Sequence, residues 1–236
     1  MIQTVNLNDK RPTPAWPEKA HRTRSLAPAI LSFDPGETTG WSYIELKLLT
    51  GDKDFTIDAE QIDYHTHGEI DCGAKQGALL TEDEGDPGLN PDGEAWGVGR
   101  MVQLCDLHPN AVIIVEDFIV DFKQITKARA AVSPIRITAR LEQELWHRER
   151  SIILQDRANP KASMNDKRLK EMGRYQRIGG LNHARDADRH GLYWARRCQN
   201  SAELRHRSWP WIFAEPPAKK TKPRKPRQPG QRINFA

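Results

Sequence analysis

Two carboxylates in the sequence end runs of apolar residues. Asp34 follows Ala29-Ile-Leu-Ser-Phe, and Glu116 follows the run Val112-Ile-Ile-Val. A buried acid at the end of a strand is costly to desolvate unless it is paired or binds a metal. The Pro-Gly pair after Asp34 predicts a tight turn with room for a phosphate backbone to approach. Two such acids on separate strands indicate a shared cation site.

A further histidine and acid open the last predicted helix, at about residues 183–198. At about 100° per residue, Asp186 lies at about 300° from His183 and His190 at about 340°, so these three share one face. Asp188 lies at about 140°, on the other side. The spacing therefore predicts that His183 and Asp186 face the site, and we expect Asp188 to be solvated.

Phosphodiester hydrolysis is the chemistry that this set would suit. Such cleavage needs a nucleophilic water and a stabilised leaving oxygen, and two hard cations about 3.5–4 Å apart provide both. Mg²⁺ prefers oxygen ligands, and a histidine in the set suits Mn²⁺ as well. We therefore expect Asp34, Glu116, His183 and Asp186 to bind Mg²⁺, with Mn²⁺ as a substitute.

Strands and helices of a mixed sheet must position these groups. A hairpin comes first, and strands that alternate with helices follow, which predicts an α/β fold with helices packed on the sheet. The expected strands are 29–34, 40–46, 54–64, 110–115 and 151–154, and the expected helices are 95–107, 134–149, 163–172 and 183–198.

Charge and composition divide the chain of 236 residues into three parts. Residues 1–28 read as an extended basic arm, 29–199 as the nuclease domain with an acidic loop at about 81–94, and 200–236 as a C-terminal extension. Residues 216–236 carry seven Lys or Arg and no acid. Such basic, Pro-rich tails are expected to be disordered and to contact nucleic acid. The tail residues predicted to do so are Lys219, Lys220, Lys222, Arg224, Lys225 and Arg227.

Other classes of protein are disfavoured by composition. No run of 18 apolar residues exists, so we expect no membrane span, and the N-terminus lacks the apolar core of a secretory signal. Three scattered cysteines disfavour a disulfide framework and favour a cytoplasmic setting. His65, His67 and Cys72 are interpreted as a solvated loop rather than as a metal cluster.

The motifs together resemble the RuvC family of Holliday junction resolvases. The resemblance rests on a strand that ends in Asp-Pro-Gly followed by Thr-Gly, a later strand that ends in Glu, and a late helix that opens His-x-x-Asp-Ala. It covers roughly residues 29–199 and implies an RNase H-like mixed β-sheet flanked by helices. In that family the acids of these motifs bind two Mg²⁺, and the first residue of the last pair is Asp or His. The sequence of the last motif, HARDADRH, is similar to that of the family members carried by phages of actinobacteria.

The resemblance also implies partners and further site residues. Family members act as homodimers on branched DNA, which for a phage protein places the chain in the host bacterial cytoplasm. Lys161 resembles the family lysine near the scissile phosphate, and Arg129, Arg136 and Arg140 are expected to contact nucleic acid. Two alternatives stay open at this point: a nuclease for flaps, forks or RNA–DNA hybrids, and a non-catalytic DNA-binding relative.

Overall fold

The centre of the molecule is a six-stranded mixed sheet. The computed structural model describes residues 2–4, 27–50, 55–73, 91–119, 132–175 and 182–216. The strands within these ranges are β1 (Ile2–Thr4), β2 (Ala29–Asp34), β3 (Thr38–Thr50), β4 (Phe55–Asp71), β5 (Ala111–Asp117) and β6 (Ile152–Asp156). Their order across the sheet is β1-β4-β3-β2-β5-β6.

Strand β2 joins the antiparallel and the parallel halves of this sheet. It pairs with β3 in antiparallel and with β5 in parallel orientation, and β6 continues the parallel half. In the β2–β5 register, Phe33 lies opposite Val115. Because Asp34 and Glu116 each come one residue later, the two acids lie side by side at the carboxyl ends of these strands, which form one edge of the sheet.

Helices cover both faces of the sheet. They are α1 (Pro91–Leu107), α2 (Ser133–Trp146), α3 (Ala158–Ser163), α4 (Asp166–Glu171), α5 (Asn182–Gln199) and α6 (Ala202–Ser208). Strand side chains alternate between faces. Leu31 and Phe33 of β2 therefore join one core with α1 and α2, whereas Ile30 joins the opposite core with α4, α5 and α6.

Helix α5 approaches β2 and β3 closely because glycines stand at the contacts. A Cβ atom on Gly40 of β3 would lie 2.0 Å from the backbone oxygen of His183. A Cβ on Gly191 would lie 2.9 Å from Oγ of Ser32, and that hydroxyl donates to the backbone oxygen of Ala187 at 2.8 Å. The first three turns of α5 are thereby held close to β3 and to β2, the strand that carries Asp34.

The predicted fold class is confirmed: the chain is an α/β protein with a mixed sheet flanked by helices. The β2–β3 hairpin and the strands β5 and β6 also occur where expected. The N-terminal arm contributes the short edge strand β1, parallel to β4. Within the described ranges, none of the helices is long and apolar enough to cross a membrane.

Several local predictions are wrong. β4 runs on to Asp71, so His65 and His67 are buried in a strand and not in a solvated loop. The last four residues of the expected acidic loop 81–94 belong to α1, which begins at Pro91; residues 81–90 lie outside the described ranges. The helix expected at 163–172 is instead split into α3 and α4, because Asn165 caps α4 by accepting from the backbone N–H of Arg168 at 3.0 Å.

Candidate active site

The site begins with two acids on the α5 face of the sheet. Asp34 is 8% exposed and Glu116 is 5% exposed. Alternation along β2 and β5 places them on the same face as Ile30 and Ile114, which pack in the core under α5. The sheet therefore holds both carboxylates rigidly while α5 supplies groups from above.

Asp34 contacts the first turn of α5. Nδ1 of His183 lies 3.1 Å from Oδ2 of Asp34, and the backbone N–H of His183 donates to Oε1 of Glu69 at 2.9 Å. Burial and the charges of Glu116 and Asp186 raise the pKa of Asp34, although its hydrogen bond with His183 opposes them. The same hydrogen bond raises the pKa of His183. Asp34 is thus exposed to the negative charge of Glu116 and Asp186, the other two acids among the predicted metal ligands.

Glu116 is held by a buried histidine. Nε2 of His190 lies 2.9 Å from Oε2 of Glu116, and Nδ1 of His190 lies 2.6 Å from Oε1 of Gln155. Nε of Arg157 lies 3.5 Å from the other carboxylate oxygen. Burial alone would raise the pKa of Glu116, but the hydrogen bond to His190 and the charges of His190, Lys161 and Arg157 outweigh it and lower the pKa.

Asp186 is held by two cations at the rim. Nζ of Lys161 on α3 lies 2.7 Å from Oδ2 of Asp186, and the guanidinium of Arg189 contacts Oδ1. Burial would raise the pKa of Asp186, yet its hydrogen bonds and charge interactions with Lys161 and Arg189 outweigh this effect and lower it. Arg189 also contacts Asp166 at the start of α4.

The three carboxylates suit a hard divalent cation. All offer oxygen ligands, they come from β2, β5 and α5, and Asp34 lies in the field of the other two. Each carboxylate has its own cationic or histidine partners. These are His183 for Asp34, His190 and Arg157 for Glu116, and Lys161 and Arg189 for Asp186. Binding a metal here would therefore exchange these partners for the ion at one or more carboxylates.

The predicted nucleic-acid residues fall in different places. Lys161 lies at the site, whereas Nη2 of Arg136 pairs with the buried Glu94 at 3.0 Å and so joins α2 to α1. Arg140 lies on α2 as well, in the layer across the sheet from α5. Arg129 and the six basic tail residues lie outside the described ranges.

Sequence reasoning missed several neighbours of the acids. His190 shares the predicted face of α5, but its contact with Glu116 depends on the way α5 crosses the sheet. Glu69 and Arg157 come from other elements than the groups they contact, and spacing could not pair them. Arg189 stands three residues after Asp186 on α5, a spacing at which helical side chains meet. The signal for Glu69 was its alternation with His65 and His67 in β4, which places all three on one face.

Asp188 corrects the helix-face prediction. It is 1% exposed rather than solvated, and its two carboxylate oxygens lie 2.7 Å from Nε2 of His65 and 2.7 Å from Nδ1 of His67. The reason is that β4 extends beneath this flank of α5, so that both sides of the helix face the sheet. The helix-face prediction required one side of α5 to face solvent, but at Asp188 that side of the helix packs on β4.

Comparison with known proteins finds likeness in structure and none in sequence. No protein-family model matches the chain, and no curated protein matches it in sequence. Among solved structures, it is similar to T. thermophilus RuvC in complex with a Holliday junction substrate, at a TM-score of 0.47 and 9% sequence identity. The match covers 73% of this chain and 97% of that one. Because the TM-score is below 0.5, the function proposed below rests on the chain's own residues.

Proposed function

We propose that this chain is a metal-dependent endonuclease that cleaves DNA strands at four-way junctions and related branches. The observation that carries the proposal is that Asp34 and Glu116 follow paired positions of β2 and β5, and that Asp34 is in electrostatic reach of both Glu116 and Asp186. These carboxylates would hold Mg²⁺, or Mn²⁺ in its place, with His183 as a further ligand or a proton carrier. Domain limits at 29 and 199 and a cytoplasmic setting in a phage-infected bacterium belong to the same proposal.

The surroundings of the acids fit a phosphate diester. Divalent cations in this position would supply an activated water and stabilise the leaving oxygen. Lys161 and Arg157 present positive charge at the rim, with side chains 30% and 62% exposed. We infer that Lys161 releases Asp186 when a cation binds and turns its ammonium group to a phosphate oxygen. Arg157 provides a second, more exposed charge on the same side.

His183 is suited to hold a proton at the open edge. Its side chain is 48% exposed, and its Nδ1 faces Asp34. The backbone N–H groups of His183 and Ala184 donate to Glu69 at 2.9 and 3.4 Å, so the start of α5 is fixed although the ring is accessible. The imidazole ring can therefore bind a cation beside Asp34 or exchange a proton with the leaving oxygen of the cleaved DNA strand.

Branched DNA as substrate and a homodimer as the active form are the finer parts of the proposal. The motifs that resemble the junction resolvase family support both, and the basic residues of 216–236 support contact with phosphates beyond the site. A dimer would place two such sites on one junction and nick two strands symmetrically. Nucleases for flaps, forks or hybrids would use the same acids, so substrate choice needs a direct test.

The test is cleavage of a synthetic four-way junction with each strand labelled in turn. The full chain should nick two opposing strands symmetrically in Mg²⁺ and should cut flap, fork and RNA–DNA hybrid substrates more slowly. Asp34→Asn and Glu116→Gln should each abolish cleavage. Asp117→Asn is the matched control, because Asp117 is the exposed neighbour of Glu116 on the same strand.

The outcomes separate the alternatives. If the parent cleaves flaps or hybrids fastest, the nuclease assignment stands and junction preference is wrong. If the Asp34 and Glu116 variants cut as well as the parent, these acids are not the metal ligands. If the folded parent binds junctions but cuts no substrate in Mg²⁺ or Mn²⁺, the chain is a DNA-binding relative without catalysis.

A further inference from the structure

A second group of ligating side chains lies on the other flank of α5. His65 and His67 of β4 and Asp188 of α5 are 0%, 2% and 1% exposed. Their ligand atoms all lie within 4.8 Å of one another. None of the three has a role in the proposed nuclease site.

The fold brings these three together for a simple reason. His65 and His67 are two apart on a strand, so their side chains share a face. They lie opposite Ile44 and Ser42 of β3, the face on which α5 packs. Asp188 points down from α5 between them, with Oδ1 toward Nε2 of His65 and Oδ2 toward Nδ1 of His67.

We propose that His65, His67 and Asp188 bind one divalent transition-metal ion, Zn²⁺, in a closed structural site that fastens α5 to β4. Two imidazole nitrogens and one carboxylate oxygen provide three of the four donors of a zinc site, and the second oxygen of Asp188 is close enough to complete it. The nitrogen–oxygen distances of 2.7 Å need to widen by only a fraction of an ångström to surround an ion. On binding zinc, each imidazole presents an unprotonated nitrogen to the ion and carries one proton on its other nitrogen. A neutral imidazole therefore changes tautomer, and a protonated one releases one proton to solvent.

The charge of Asp188 favours an ion over hydrogen bonds alone. A carboxylate removed from water needs a compensating charge. The hydrogen bonds that hold the two carboxylate oxygens come from the histidines, and Arg174 is a further group in electrostatic contact with Asp188. A divalent ion would place two positive charges at the point where all three side chains converge.

Burial distinguishes the kind of metal site. Two histidines and one carboxylate also hold iron in oxygenases, but those centres keep coordination positions open for substrate. Here all three ligands are shielded from solvent, which suits a closed, redox-inactive ion. The site is separate from the acids at the sheet edge, and the inference holds or fails independently of the proposed nuclease activity.

The experiment uses the full chain with the other centre silenced by Asp34→Asn, Glu116→Gln and Asp186→Asn. After incubation with Zn²⁺ and dialysis, elemental analysis should find one zinc per chain. Co²⁺ in place of Zn²⁺ should give the visible absorption of a tetrahedral centre, and Zn²⁺ should raise the melting temperature. A protein with these three ligands intact that retains no zinc, shows no such absorption and does not shift in melting temperature overturns the proposal.

Variants then locate the ion. His67→Gln and Asp188→Asn, added to the silenced chain, should each lose the bound zinc and the cobalt absorption. His147→Gln is the matched control, since His147 is an exposed histidine at the end of α2. Zinc that remains at one equivalent in both variants also overturns the assignment. Should either variant fail to fold, the measurements on the intact cluster still decide the question.

Discussion

The contact between His190 and Glu116 gives the sharpest energetic prediction. His190 is fully buried, and it is the close partner of a carboxylate that is itself 5% exposed. His190→Ala removes the hydrogen bond at 2.9 Å and leaves Arg157, 3.5 Å away and 62% exposed, as the nearest cation. Because an exposed arginine is screened by water, it replaces little of the stabilisation that the histidine provided.

The expected cost follows from these distances and exposures. A hydrogen bond to a charged group contributes about 1.5–3 kcal/mol, and an uncompensated buried charge costs about 3–5 kcal/mol. Water that enters the space of the missing imidazole would lessen the second figure, and the cavity would add to the total. We therefore expect His190→Ala to lower the free energy of unfolding by about 3–4 kcal/mol in metal-free buffer.

The assay is urea denaturation of the parent, His190→Ala, Glu116→Gln and the double variant. If the charge of Glu116 causes the loss, the double variant should be more stable than additivity predicts by about 2 kcal/mol. The exposed His147→Ala serves as control and should change stability by less than about 0.5 kcal/mol. A cost below about 1 kcal/mol for His190→Ala, or a cycle that is additive, would refute the reasoning.

The same pair predicts a dependence on pH. The folded-state pKa of Glu116 is lowered, so the contribution of the pair is present above the unfolded-state value of about 4.3 and is lost as the pH falls through the folded value. The difference in stability between the parent and His190→Ala should therefore shrink on acidification below about pH 4. A difference that grows on acidification would contradict this assignment of the charged group.

Four other predictions follow from the site. Asp34→Asn should raise the free energy of unfolding in chelator at pH 7 by about 0.5–1 kcal/mol, because the raised pKa of Asp34 marks a charge that the folded state disfavours. A lower free energy of unfolding for this variant, measured by urea denaturation, would contradict that reason. Lys161→Ala should lower single-turnover cleavage by about 10²-fold or more while Mn²⁺ binding by calorimetry is kept, and unchanged cleavage would remove Lys161 from the site. Gly40→Ala should lower the melting temperature and abolish cleavage by pushing the start of α5 off β3, unlike the control Gly99→Ala, which has open space. Deletion of residues 216–236 should weaken junction binding. It should also reduce the slope of log K against log salt concentration by about 0.9 for each phosphate that the tail neutralises, and a slope equal to the parent's would show that the tail does not contact phosphates.

The sequence predicted the parts of the fold that depend on local pattern. Continuous apolar runs before Asp34 and Glu116 identified β2 and β5, and parallel pairing then placed both acids at one edge. The turn after Asp34 and the alternation beyond it predicted the β2–β3 hairpin. Each of these inferences needs only neighbours in sequence and the geometry of a strand.

The missed features depend on contacts between distant elements. Asp188 is buried because β4 is longer than its hydrophobic pattern indicated: polar residues at 60, 61 and 63 interrupt the pattern before His65. The pairing of Glu116 with His190 spans 74 positions, and that of Lys161 with Asp186 joins α3 to α5. Spacing within one helix or strand cannot supply the distance between two elements packed against each other.

Asp34, Glu116 and Asp186 are proposed to share a divalent cation, and anomalous scattering from a Mn²⁺-soaked crystal of the full chain tests this most directly. We predict an anomalous peak at the sheet edge about 2.1–2.2 Å from oxygens of at least two of these carboxylates, with Lys161 withdrawn from Asp186. The peak should be absent in Asp34→Asn. Crystals that show no manganese between the carboxylates, with each acid still paired to His183, His190 or Lys161, would contradict the account.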